Sequence, residues 1–266
     1  MKLKNSTFKI AAAVALFAPA SMAFAINIGG LNVAPGANFA VGQIYENAVT
    51  QVGQTLSGYG KVDSINSAAL GSFCNNCELT YKFDGYRVTS ISPSEVKFTG
   101  GMINFYLGSG ANNDFTTVNG GGSAGDIIEA TNGTLFLSLK GHPIDALGNT
   151  FIGTGLNIGL STPAGFGSGL ADVDTSAAGG GGIGASYFNT NSVAALFGGG
   201  NADLQLGASF SALNPLYAAE CPGGAACLRG SANFSSTVAA VPEPGTYAMM
   251  LAGLGLVGFM VRRRSS

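Results

Sequence analysis

Residues 79–91 read LTYKFDGYRVTSI, and their alternation decides the fold class. Leu79, Tyr81 and Phe83 fall on one side of an extended chain, and Thr80, Lys82 and Asp84 on the other. That is the period of two expected of a half-buried β-strand. Asp84-Gly85 offers a turn or a bulge before the pattern resumes from Tyr86 to Ile91. Residues 95–107, EVKFTGGMINFYL, repeat the arrangement around Gly100-Gly101. TLFLSLKG at 134–141 aligns Leu135, Leu137 and Leu139, and ADLQLGASFSAL at 202–213 aligns Leu204, Leu206, Ala208 and Phe210. FIGTGLNIGL at 151–160 gives a weaker, glycine-broken strand. Strands at short spacing with polar turns predict an all-β body, a β-sandwich or jelly-roll. Only INSAALGSF at 65–73 has a trace of helical period outside the two ends.

Composition agrees with this. Glycine supplies 42 of 266 residues and charged residues only 10%, and glycine costs about 1 kcal/mol in a helix interior relative to alanine. The stretches NGGGSAGD (119–126), AAGGGGIGAS (177–186) and FGGGNAD (197–203) read as loops between better strands. Half of the 12 Lys and Arg lie in the two ends, so the body from Ile26 to Val241 carries six basic against 13 acidic residues, a formal charge of −7. Such a body is a poor partner for nucleic acid, which needs clustered basic side chains.

The two ends read as addresses. Lys2, Lys4 and Lys9, the apolar stretch Ile10 to Ala18 and the small-x-small site Ala23-Phe24-Ala25 form a secretory signal peptide, residues 1–25. Residues 26–240 are then the exported β-rich domain. In 241–266, Val241-Pro242-Glu243-Pro244 cannot join a helix or a central strand, because both prolines lack an amide proton. Tyr247 to Val261 is a run of 15 uncharged residues, about 22 Å long as a helix. Arg262, Arg263 and Arg264 follow it and would stay cytoplasmic.

The order Pro242-Glu243-Pro244, apolar segment with GLGLVG, and arginine tail resembles the PEP-CTERM sorting signal of Gram-negative bacteria. The resemblance implies a transient inner-membrane anchor and recognition by an exosortase, in bacteria that make extracellular polysaccharide. It implies handling and transfers no activity. The body stretches GQTLSGYGKVDSIN, FCNNCELTYKFDG and FTGGMINFYLG also resemble a flocculation-associated subgroup of those proteins.

Four cysteines in an exported chain read as disulfides. Cys74 with Cys77, and Cys221 with Cys227, is the simplest of three connectivities, and the sequence leaves the other two open. A redox Cys-x-x-Cys needs a lowered thiolate pKa, usually at a helix start, whereas FCNNCELTY runs into a strand. A four-cysteine zinc site is disfavoured by the loose second spacing and by export.

His142, in KGHPID, is the single histidine, which excludes any site needing two imidazoles. GGSAG at 121–125 matches a nucleophile elbow, and Asp126 or Glu129 followed by His142 gives a hydrolase chain order. No βαβ alternation surrounds it, so surface turns are the better reading of GGSAG and GHP. DVDTS at 172–176 opens like a calcium loop, but Ala177 and Ile183 stand where an EF-hand needs Gly and Glu. No cofactor is expected, with a loop-bound calcium of irregular geometry left open. The sequence is read as a non-enzymatic surface or matrix protein, for which the resemblance implies a role in flocculation or association with extracellular polysaccharide. The alternative is a secreted hydrolase of polysaccharide or esters using Ser123 with His142 or an acidic pair.

Overall fold

The computed structural model describes residues 25–117, 122–160, 162–194, 200–212, 227–239 and 251–255, with Gly122 and Cys227 described by their backbone alone. A short hairpin, β1 (Ile26–Ile28) and β2 (Leu31–Val33), precedes the long strands β3 (Gly36–Asn47) and β4 (Thr55–Ile65). After the two-residue β5 (Ala68–Ala69) come β6 (Cys77–Ser92) and β7 (Glu95–Ser109), and then helix α1 (Gly122–Thr131). β8 (Thr134–His142), β9 (Asn149–Leu156) and β10 (Ala164–Val173) lead to the one-turn α2 (Ala185–Phe188). The small pair β11 (Val193–Ala194) and β12 (Asn201–Ala202) precedes β13 (Leu204–Ala212) and β14 (Cys227–Val238).

All pairings are antiparallel, and the long strands pair in chain order from β3 to β14. β14 returns to β3, with Cys227 to Val238 opposite Asn47 to Gly36. β8 and β9 lie in series: β8 pairs with Met102 to Leu107 of β7, and β9 with Glu95 to Thr99. On their other side both pair with β10, which pairs in turn with β13. Among the described residues the sheet is therefore a closed meander of eight strand positions, one of them filled by β8 and β9 together.

The all-β class is as the sequence indicated, but one curled sheet replaces the two sheets of a sandwich or jelly-roll. Alternation reveals which face of a strand is buried, and an apolar face looks the same whether it meets a second sheet or the far wall of its own. Among the described residues, closure leaves no long strand edge open to another chain.

Register explains how the inside fills. Leu79, Tyr81 and Phe83 stand opposite Val62, Gly60 and Gly58 on one side, and opposite Leu107, Phe105 and Ile103 on the other. Tyr81, Phe105 and Phe234 meet at the centre with ring centroids 4.9–5.5 Å apart, each pair contributing about 0.5–1.5 kcal/mol beyond its burial. The rings need glycine opposite them. A Cβ on Gly60 would collide with the Gln43 carbonyl and reach to 2.5 Å from the Tyr81 hydroxyl, and one on Gly58 would stand 2.5 Å from the Phe83 ring. Glycine thus serves inside strands as well as in loops, of which the tract at 177–184 forms turns as the sequence indicated.

Of the turn or bulge offered at Asp84-Gly85, the bulge is what forms: β6 continues through it with Gly85 at φ +78°, and its register against β4 shifts there, between Leu56 and Gly58. Gly100 and Gly101 of β7, also at positive φ, lie beside it, so the two strands bend together. INSAALGSF yields only a 3-10 turn, Leu70–Ser72. The helix that does form, α1, begins inside the glycine tract taken as a loop, and its buried Asp126 and Ala130 face the barrel wall. There the Thr80 hydroxyl donates to the Ala130 carbonyl at 2.8 Å, and Tyr45, Tyr59, Phe115 and Ala130 form a small core outside the barrel.

Candidate functional site

Cys74 and Cys77 form a disulfide with Cα atoms 5.8 Å apart. Asn76 between them takes φ +52°, a conformation asparagine tolerates better than most residues. Cys77 opens β6 instead of a helix, so the setting that lowers a thiolate pKa is not built here. Cys221 lies outside the described residues, as does the side chain of Cys227.

The residues of the hydrolase reading are placed apart. Ser123 stands in the first turn of α1, which packs across β4 and β6. Asp126 accepts a hydrogen bond from the Tyr59 hydroxyl at 2.8 Å, and Glu129 accepts one from the Thr116 amide at 3.1 Å. His142 ends β8, three positions round the barrel from β4, with its Nδ1 2.8 Å from the Asp172 carboxylate and Leu170 of β10 as its strand partner. It is buried, not on a surface turn. The expected turn at GGSAG is likewise replaced by helix from Gly122 onward.

The aspartates of DVDTS are engaged by protein. Asp172 faces His142, while Asp174 accepts from the Ser176 amide and hydroxyl at 3.2 and 2.6 Å and lies 4.0 Å from the Lys140 ammonium. Among the described residues no group of three or more His, Cys, Asp or Glu is gathered as for a metal ion.

The residue the sequence reading passed over is Glu46. It stands on the inward face of β3 with Ile44, opposite Gly58 of β4 and Leu228 of β14. It is 5% exposed, no hydrogen bond or ion pair engages its carboxyl among the described residues, and burial pushes its pKa up to about 8. Glu78, on the outer face of β6, is by contrast satisfied, with Lys61 at 3.1 Å and the Phe115 amide at 3.1 Å. Glu46 borders two cavities inside the barrel. The first is lined by Ile44, Leu56, Phe83, Phe151, Leu206 and Phe234, and Tyr86 brings into it a buried hydroxyl without a hydrogen-bond partner. A signal for Glu46 was present in GQIYEN, where a carboxylate occupies the apolar phase of an alternating strand.

β14 ends at Val238, and the Ala239 amide donates to the Tyr187 carbonyl at 2.8 Å. Pro242, Glu243, Pro244 and Arg262 to Arg264 lie outside the described residues, whereas 251–255 are helical and exposed. Among the described residues no helix is long and apolar enough to cross a membrane. No curated protein and no solved structure matches the chain. Residues 240–264 match the family described as the PEP-CTERM protein-sorting motif. That motif implies export, a transient membrane anchor and processing by an exosortase.

Proposed function

We propose that this protein works outside the cell as a non-enzymatic surface or matrix component, supporting cell aggregation or association with extracellular polysaccharide. The sorting motif at 240–264 supports export, and the outer wall of the barrel supports the role. On β13, β14 and β3 the outward positions include Gln205, Ser209, Ser231, Asn233, Ser235 and Gln43, with Ser231 opposite Gln43 and Gln205 opposite Ser235. The Ser209 and Ser231 hydroxyls lie 3.0 Å apart. Short amides and hydroxyls on a sheet face offer many weak hydrogen bonds to sugar hydroxyls, and many copies on one surface multiply them by avidity. This role needs no cofactor and no catalytic residue.

The test is complementation of a deletion strain, scored for flocculation. The wild-type gene should restore flocs, and so should Ser123→Ala and His142→Ala variants. Loss of flocculation in either variant at normal surface abundance, or flocs unchanged by the deletion itself, would remove the proposal.

A further inference from the structure

We propose that the barrel interior binds a compact apolar amine, with the ammonium held by Glu46 and Tyr86 and the hydrocarbon body in the aromatic space beside them. The Tyr81 hydroxyl, which projects into the same region, donates to the Gln43 carbonyl at 2.5 Å, and the wall is apolar or glycine. Two polar groups line one cavity: the Glu46 carboxyl, which no hydrogen bond or ion pair engages among the described residues, and the Tyr86 hydroxyl, buried without a hydrogen-bond partner. Buried polar atoms are nearly always hydrogen-bonded, so two orphans facing one space mark a place for a third group.

The size and chemistry of that space limit what the group can be. The free volume of the first cavity holds about three to five waters and that of the adjoining one two or three. Glu46, Leu56, Phe151 and Ala208 border both. Together they suit a molecule of roughly one ring and a short arm. The lining is almost wholly apolar, which favours a hydrocarbon body over ordered water. The polar atoms these two residues offer to the cavity, the two carboxyl oxygens of Glu46 and the phenolic oxygen of Tyr86, are all able to accept. A primary ammonium offers three N–H donors, enough for all of them, where an alcohol offers one. On entry of the neutral amine the carboxyl proton passes to nitrogen, so the buried pair forms without bringing net charge into the barrel. A carboxylate ligand would instead face a carboxyl group with no cation near it.

Benzylamine, ethylbenzene and benzoate are suitable probes, titrated calorimetrically into the full-length, disulfide-intact protein at pH 7.5, with Glu46→Gln and Tyr86→Phe variants alongside. Circular dichroism confirms that each variant is folded. Benzylamine should bind, ethylbenzene should bind at least tenfold more weakly, and benzoate should not compete. Glu46→Gln should weaken benzylamine at least tenfold and leave ethylbenzene unchanged, and Tyr86→Phe should weaken benzylamine about threefold. Because Tyr86→Phe removes only a hydroxyl from a folded wall, it keeps the test alive if Glu46→Gln does not fold. Equal binding of benzylamine and ethylbenzene, indifference to both substitutions, or no binding by any probe would overturn the proposal, the last leaving the space to water.

Discussion

Replacing Glu46 with glutamine should change how the stability of this protein depends on pH. The carboxyl titrates near 4.5 in an unfolded chain and at about 8 inside the barrel. Between those values the folded protein keeps a proton that the unfolded chain has lost. Stability therefore falls as pH rises, by about 1.4 kcal/mol per pH unit, and levels off above pH 8. The full loss is roughly 5 kcal/mol, a large fraction of the 5–15 kcal/mol typical of a domain. The groups facing Glu46 do not mask the effect: Tyr81 and Tyr86 of β6 are held neutral by burial, and Gly58 and Leu228 on the flanking strands carry no charge. Glu78, also raised by burial, is common to both proteins and cancels in the difference. Urea unfolding of wild type and Glu46→Gln at pH 5, 6, 7 and 8 measures that difference. The variant should gain about 4 kcal/mol relative to wild type between pH 5 and pH 8. A difference constant to within about 1 kcal/mol over that range would refute a buried, unpartnered carboxyl at this position.

Three further outcomes follow from the packing. Gly60→Ala drives a methyl group against the Gln43 carbonyl and the Tyr81 ring, so it should destabilise by about 1–3 kcal/mol, read as a lower urea midpoint; an unchanged midpoint would mean the ring is not seated against β4. Tyr59→Phe removes the hydrogen bond to Asp126, whose other oxygen is already buried without a partner, and should cost about 1–3 kcal/mol. Tyr45→Phe, whose hydroxyl is 3.3 Å from Thr117, is the control and should cost less. Replacing both Cys74 and Cys77 with serine opens a loop of only a few residues and should cost about 2 kcal/mol in thermal or urea unfolding.

The strands were legible because a wall with one dry side writes its period into the chain: LTYKFDG and ADLQLGASF could be assigned side by side, residue by residue. Closure was not, because the pairing of β14 with β3 joins segments far apart in the chain and leaves no local mark. Glycine was legible in part, for a physical reason. The tract at 177–184 forms turns as read, but nothing local marks Gly58 and Gly60 as strand residues whose missing side chains make room for Phe83 and Tyr81 on the next strand. The loop reading of 119–126 hid α1, whose buried face is Asp126 and Ala130 instead of an apolar stripe. That the cysteines pair was readable from export, and Cys74 with Cys77 was the simplest of three connectivities the sequence left open. His142 and Ser123 matched a pattern in chain order, but chain order does not fix distance around a barrel. Glu46 was missed because its strand looks too broken to have an inside, with a bulge between Val41 and Gly42 shifting the phase.

The central claim, that the barrel is exported on a PEP-CTERM signal and processed there, is tested most directly by intact mass of the protein recovered from the inner membrane and from the extracellular fraction of the same wild-type cells. The account predicts an extracellular species that begins near Ile26 and has lost the segment after Pro242-Glu243-Pro244, with an uncleaved form confined to the membrane. A single full-length species that stays in the membrane, or an extracellular form that retains Arg262 to Arg264, would contradict it.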